Sequence, residues 1–309
     1  MKRNKLLSPL LLLAASMIWG FAFAAQDAAS EVGAFTLGFA RSLIAGIFLI
    51  FVVILLDKVT ANGRRLFAKR KIDINKYELI GGVICGAVLT IASAFQQIGI
   101  NQGTDGGKAA FITALYVVMV PIYSLALKKK APVNVWISIG IAIIGFYLLC
   151  IKNDLSIEPS DALVLICALI FPIHILTIDR FSPKCDGVRM SIVQFFSAAI
   201  INLIPAILLE RGSGIGVVFD NVLPILFLGI GSSGIAYTLQ IIGQNGINPS
   251  AAAIILSLES VFGVVGTAIF LGQTLTPREY IGCAVVLIAV ILSQIDLSLF
   301  KHKRKNDTE

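Results

Sequence analysis

The chain has 309 residues, 57% of them hydrophobic and only 14% charged, with a mean hydropathy of +0.90. Soluble domains average about 25% charged residues, so this composition excludes an ordinary water-soluble globule and names the bilayer as solvent. The net charge of +7 lies in the connections between apolar runs. It therefore reads as a topology signal with anionic headgroups as partner, not as a nucleic-acid surface.

A helix crosses a bilayer with roughly 20 apolar residues. Ten runs qualify: 6–26, 34–56, 78–100, 107–127, 133–151, 161–179, 188–209, 222–243, 249–271 and 279–298. The first follows Lys2, Arg3 and Lys5 and carries Ala22, Ala24 and Ala25, which imitate a secretory signal and its cleavage site. The second holds Arg41 seven residues in, about 10 Å from its outer end at 1.5 Å per residue. An arginine at mid-membrane costs about 2.5–3.5 kcal/mol on insertion scales. Arg41 should thus face the bundle interior, either as a structural pair or as a ligand for a substrate carboxylate.

The connection 57–77 is polar and basic, with room for a short amphipathic helix. On the third run Thr90, Gln97 and Asn101 share a face. On the fourth, Thr113, Tyr116, Val120 and Tyr123 share one that packing alone also explains. In the sixth, Pro172 should bend the helix just before His174, which is either a hydrogen-bonded core residue or a proton-coupling site. The eighth carries Ser233, Tyr237, Gln240 and Gln244 on one face. In the ninth, Glu259 stands near mid-depth with Gly263 and Gly266 on its side, where another backbone can approach. That carboxyl is either protonated, paired with Arg41 or a proton-coupling site. The tenth opens on Thr276-Pro-Arg-Glu279, the spacing of a capping box.

Lysine and arginine set the orientation. With the N-terminus inside, the inner segments hold twenty of these residues and the outer loops four, so both termini should be cytoplasmic. The five cysteines show no CxxC and no metal spacing, and read as small core residues. No HExxH, GxSxG or Walker motif occurs, so neither an enzyme nor a cofactor or metal site is expected.

The sequence matches itself at a shift of 143. QIGINQGTDGGKAAFITALYVV (97–118) falls on QIIGQNGINPSAAAIILSLESV (240–261), with eight identities in twenty-two positions. Each half then holds five spans, and an odd number forces the second half to enter from the opposite face. The expected architecture is an inverted repeat with its site at the interface between halves. Gln97 and Gln240 are equivalent under the shift, as are Tyr116 and Glu259. The matched polar stripes suggest a shared cavity, although interhelical hydrogen bonding favours the same residue types. At a shift of 152, IWGFAFAAQD (18–27) falls on IFPIHILTID (170–179), so the first run is expected to stay as a span.

These pieces resemble the EamA type of the drug/metabolite transporter superfamily, over about residues 8–297. The matching segments are IWG (18–20), FARSLIAG (39–46), AAFITALYVVMVPIYS (109–124), the sixth span, IVQFFSAAI (192–200) and the stretch from Ser250 through the tenth span. Where the family usually has Leu-Glu-Pro-Val, this chain has Leu258-Glu259-Ser260-Val261. The acid that members often carry after the ninth span is here Gln273. The resemblance implies a ten-helix carrier that exports amino acids, other metabolites or toxic compounds, often by proton exchange. Spans 1–4 and 6–9 would surround the cavity and spans 5 and 10 lie outside it. Trp19, Arg41, Gln194 and Glu259 stand at family-like positions.

The combined expectation is an all-α membrane protein with ten transmembrane helices as two inverted five-helix repeats. Residues 1–152 form the first repeat, 153–299 the second and 300–309 a basic cytoplasmic tail. The place is a plasma membrane of the bacterial inner-membrane type. The function is proton-coupled export of a small amphipathic metabolite. The expected cavity residues are Trp19, Arg41, Gln97, Tyr116, Gln194, Tyr237 and Gln240, with Glu259 and His174 for proton coupling. Uptake by the same fold is the alternative. A non-transporting receptor or scaffold is disfavoured, because no output domain remains.

Overall fold

The computed structural model describes residues 6–58, 60–61, 64–65, 74–129, 131–150, 158–210, 215–271 and 276–294. Its main helices are α1 (Leu7–Ala28), α2 (Ala34–Lys58), α3 (Lys76–Asn101), α4 (Gly106–Ala114 and Tyr116–Ala126) and α5 (Val133–Cys150). The second set is α6 (Pro159–Phe181), α7 (Gly187–Leu209), α8 (Val222–Gln244), α9 (Pro249–Leu256 and Glu259–Leu271) and α10 (Pro277–Gln294). Among the described residues, nine of these are long and apolar enough to cross a membrane, and α5 is a shorter apolar helix. A short helix, Ile215–Asp220, precedes α8. The connection expected to hold an amphipathic helix lies largely outside the described residues. Its described part pairs Thr60–Ala61 with Arg64–Arg65 as two-residue strands.

The helix starts follow local chemistry. Asn75 and Glu78 close a capping box on α3, and Asp105 accepts from the Gly107 and Lys108 amides at the start of α4. Asp186 accepts from the Val188 and Arg189 amides on α7, and Asn248 from the Ser250 amide on α9. Each side chain satisfies amides that have no partner within the helix. The capping box expected at Thr276 forms, with the Thr276 amide donating to Glu279 Oε2 at 2.7 Å and the Glu279 amide to Thr276 Oγ1 at 3.3 Å.

Three spans depart from regular helix. α4 is interrupted at Leu115 and α9 at Ser257–Leu258, and α8 winds as π-helix over Phe227–Tyr237. The first two breaks lie at equivalent positions under the shift of 143. So do the two glycines with positive φ, Gly103 at 108° and Gly246 at 88°. Nothing would obstruct a Cβ at either one, so the left-handed backbone alone calls for glycine there. The break in α9 forms without the family's usual proline. Ser260 stands in its place and donates from Oγ to the Ala110 carbonyl at 3.2 Å, reaching α4.

Helix packing has the same pairwise logic in both halves. α3 packs on α6 as α8 packs on α1, and α4 packs on α6 as α9 packs on α1. α5 and α10 pack on each other and on α4 and α9. Their crossing is built on Gly145 and Gly282, where an added Cβ would come within 2.9 Å of the Val286 amide and 2.8 Å of the Leu149 amide respectively. Small residues of this kind let helix backbones approach closely. Leu12, Val117, Phe146 and Ile254 belong to the largest buried apolar cluster, which runs through α1, α4, α5 and α9.

Candidate substrate cavity

A cavity of about 50 Å³ lies among α1, α2, α3, α4, α6, α8 and α9. Its wall includes Trp19, Arg41, Tyr116, His174, Tyr237, Gln240 and Glu259, seven of the residues the sequence singled out. Its other polar lining is Gln26, Ser93, Gln96, Thr113 and Ser232.

The π-helical turn of α8 fixes one side. Arg41 donates from Nε to Ser233 Oγ at 2.9 Å and from Nη2 to Ser232 Oγ at 3.0 Å. Nη1 donates to Gln26 Oε1 at 3.3 Å. The Ser232 carbonyl accepts from Trp19 Nε1 at 3.2 Å, and the Trp19 ring sits 4.6 Å from that of Tyr237. A π-helix places Ser232 and Ser233 together toward one guanidinium, a typical use of this irregular winding at functional sites. Among the described residues Arg41 has no carboxylate partner. The expected alternative of an Arg41–Glu259 pair is not formed; neutral oxygens hold the arginine instead.

Glu259 and Tyr116 hold the other side. Each is the first residue of the second piece of its broken helix. Glu259 is 5% exposed and Tyr116 4%, and the two side chains lie within electrostatic reach of each other. The Tyr116 hydroxyl stands beside the Glu259 carboxyl, just short of hydrogen-bond geometry, and neither it nor Glu259 Oε1 has another hydrogen-bond partner among the described residues. Tyr237 stands between the two sides, within reach of both Arg41 and Glu259.

His174 packs edge-on against Tyr237, ring centres 5.6 Å apart, and its Nε2 faces Gln194 Oε1 at 3.1 Å. Gln194 is completely buried and lies behind the histidine, outside the cavity wall. Its role here is to orient His174. Gln97 is also outside the wall. Its Nε2 donates to the Gln26 carbonyl at 3.2 Å and to Asn101 Oδ1 at 2.8 Å, tying α3 to α1. The neighbouring Gln96 takes the cavity position and donates to Thr113 Oγ1 at 2.9 Å. Thr90 likewise faces α7, accepting from Asn202 Nδ2 at 3.3 Å. The signal for Gln26 was its place two turns after Trp19 on α1. Ser93 and Gln96 stand one helical turn apart on α3, one step round from the stripe the repeat had marked. Gln273 lies outside the described residues.

The model of the EamA-like transporter family matches residues 6–151 and again 159–294. The chain belongs to the EamA-like transporter family. An uncharacterized transporter of Archaeoglobus fulgidus is 31% identical over 215 residues, covering 68% of this chain and 67% of that protein. Another uncharacterized transporter, of Clostridium kluyveri, is 21% identical over 274 residues, 84% of each chain. A solved crystal structure superposes with a TM-score of 0.71 at 16% identity, over 93% of this chain and 96% of its own. That likeness bears on the fold alone. As an EamA-type protein of the drug/metabolite transporter superfamily, the chain is a multi-pass membrane transporter, with the bilayer and a small-molecule substrate as its partners.

Proposed function

We propose that this chain is a secondary active transporter that exports a small amphipathic metabolite, an amino acid, a related compound or a toxic compound, by proton-coupled alternating access. The observation that carries the reading is the central cavity, walled by helices of both sequence halves, with a buried Glu259 whose Oε1 has no hydrogen-bond partner among the described residues. An intramembrane acid of this kind is a site for exchangeable charge, because leaving it ionised and unpaired in hydrocarbon is costly. Protonation of Glu259 in one state and its release in the other couples the proton to the substrate, and His174 relays or tunes that step.

The proposed architecture is ten spans in two inverted repeats, residues 1–152 and 153–299, with both termini and the basic tail 300–309 in the cytoplasm. The matched helix breaks, the matched positive-φ glycines and the exchangeable packing pairs support the duplication. The lysine and arginine bias supports the orientation, in a plasma membrane of bacterial inner-membrane type. The two halves rock about the cavity between them, as inverted-repeat carriers do.

The test expresses the full chain in amino-acid- and drug-sensitive cells and follows efflux of a mixed metabolite pool by mass spectrometry. Altered efflux of at least one compound is expected. No change in any compound, with the protein verified in the membrane, overturns the reading. Glu259→Gln is expected to abolish the dependence of transport on a pH gradient. An unaltered pH dependence removes Glu259 from the coupling step.

A further inference from the structure

The two sides of the cavity differ in what they leave unsatisfied. On the Arg41 side all three guanidinium nitrogens already donate to protein oxygens, those of Ser233, Gln26 and Ser232. Three of its five N–H donors are therefore engaged, and the Nε–Nη2 edge that could take a carboxylate in bidentate fashion already holds the two serine hydroxyls. On the opposite side the unsatisfied atoms include acceptors. Glu259 Oε1, Gln240 Oε1, the Tyr116 hydroxyl, which can donate or accept and stands beside the Glu259 carboxyl, and His174 Nδ1 are buried and lack a hydrogen-bond partner among the described residues. They belong to α9, α8, α4 and α6, and all four side chains line the one cavity. With the proton on Nε2, directed at Gln194, His174 presents Nδ1 as a bare acceptor.

We infer that the substrate is an organic amine, bound through its protonated –NH3+ or –NH2+– group by the acceptors around Glu259, with an apolar body against the aromatic wall. The inference rests on the transport reading above and specifies its substrate class. An ammonium brings two or three donors and a positive charge, which complements an acceptor cluster with one carboxylate. It also supplies the countercharge that Arg41, held by neutral oxygens, does not give Glu259. The Trp19 and Tyr237 rings, 4.6 Å apart, add the face-on attraction that aromatic groups offer cations. Arg41 then acts as the fixed cationic wall that keeps a second cation out and orients the amine toward Glu259.

The chain has two tryptophans, Trp19 in the cavity wall and Trp136 on α5. A Trp136→Phe background leaves Trp19 as the fluorescent reporter. The purified full chain in detergent is titrated with 2-phenylethylamine, 2-phenylethanol, 3-phenylpropanoate and trimethyl(2-phenylethyl)ammonium. The primary amine should bind at least tenfold more tightly than the alcohol and the carboxylate, and more tightly than the trimethylated cation, which has no N–H donor. Glu259→Gln should weaken the amine at least tenfold and leave the alcohol unchanged, which shows at once that the variant is folded. Should that variant fail to fold, Gln240→Ala is expected to weaken the amine several-fold with the alcohol unchanged.

Equal affinity for amine and alcohol, tighter binding of the carboxylate, unchanged amine affinity in both variants, or no saturable response to any probe overturns the inference. Transport is scored separately, as efflux from proteoliposomes. Amine binding without efflux of any compound would fail the transport reading alone. Efflux of acids or neutral compounds without amine binding would fail the substrate class alone.

Discussion

The α1–α9 and α4–α6 contacts occupy the same place in the two sequence halves, yet they are held together by different chemistry. α1 crosses α9 on bare backbone. A Cβ added at Gly20 would come within 2.5 Å of Phe262 Cβ, 2.7 Å of the Gly263 amide and 2.8 Å of the Glu259 carbonyl. The counterpart of Gly20 on α6 is Pro172, and the α4–α6 contact is latched at its two ends instead. Lys108 pairs with Asp161 near one end and Lys129 with Asp179 near the other. The counterparts of Lys108 and Asp161 are Ala251 and Pro9, so α9 and α1 have no such latch there. One contact therefore gains from close approach of atoms, and the other from charges that can separate. A sliding motion between halves meets steric resistance at the first and only electrostatic resistance at the second.

That contrast can be broken from either side. The largest effect is expected for Gly20→Val, because the atoms in its way are backbone and a Cβ that cannot swing aside. Overpacking of this kind costs about 3 kcal/mol. Thermal unfolding in detergent should drop sharply, and a variant as stable as the parent would refute the close crossing. Lys108→Ala comes next, since it strips a charge partner from Asp161, whose side chain is 3% exposed. Loss of one partner of a buried charged group costs about 1–3 kcal/mol, and Thr104 Oγ1, which donates to Asp161 Oδ1 at 3.0 Å, limits the damage. The double variant Lys108→Ala/Asp161→Asn should recover part of that loss, and the same unfolding measurement checks both.

Lys129→Ala should matter less. That lysine side chain is 48% exposed, and exposed ion pairs contribute about 0–1 kcal/mol. Its effect should also shrink as salt is raised, which a titration of unfolding temperature against sodium chloride would show. The smallest effect is expected at Gly263→Ala, within about 0.5 kcal/mol, typical of sites without special features. An added Cβ there would lie 3.4 Å from the nearest atom, the Gly20 carbonyl oxygen, an ordinary contact. A Gly263→Ala effect as large as that of Gly20→Val would show that the crossing lacks the one-sided geometry described here.

Much of the cavity's lining was legible in the sequence, but in an uneven way. Arg41 and Glu259 stood out because ionisable groups in apolar runs are costly and must face inward. Tyr237 and Gln240 were found through their stripe on α8. Gln97 was chosen because its repeat partner is Gln240, yet only Gln240 reaches the cavity. The two halves share a backbone plan but not their polar lining: Ser93 is matched by Ala236, and Ser232 by Leu89. Symmetry of sequence therefore located the helices better than it located the site.

The sequence by itself determined which runs are apolar enough for a bilayer and, through its capping box, where α10 begins. Hydropathy and caps act over a few residues, so local order is enough to read them. The tertiary structure alone decided the rest. A face drawn at 100° per residue loses its meaning once α4 and α9 break and α8 rewinds as a π-helix. The partners of Arg41 lie 15 and more than 190 residues away in the chain. Only packing brings Ser232, Ser233 and Gln26 to its guanidinium while leaving the acceptors around Glu259 unsatisfied.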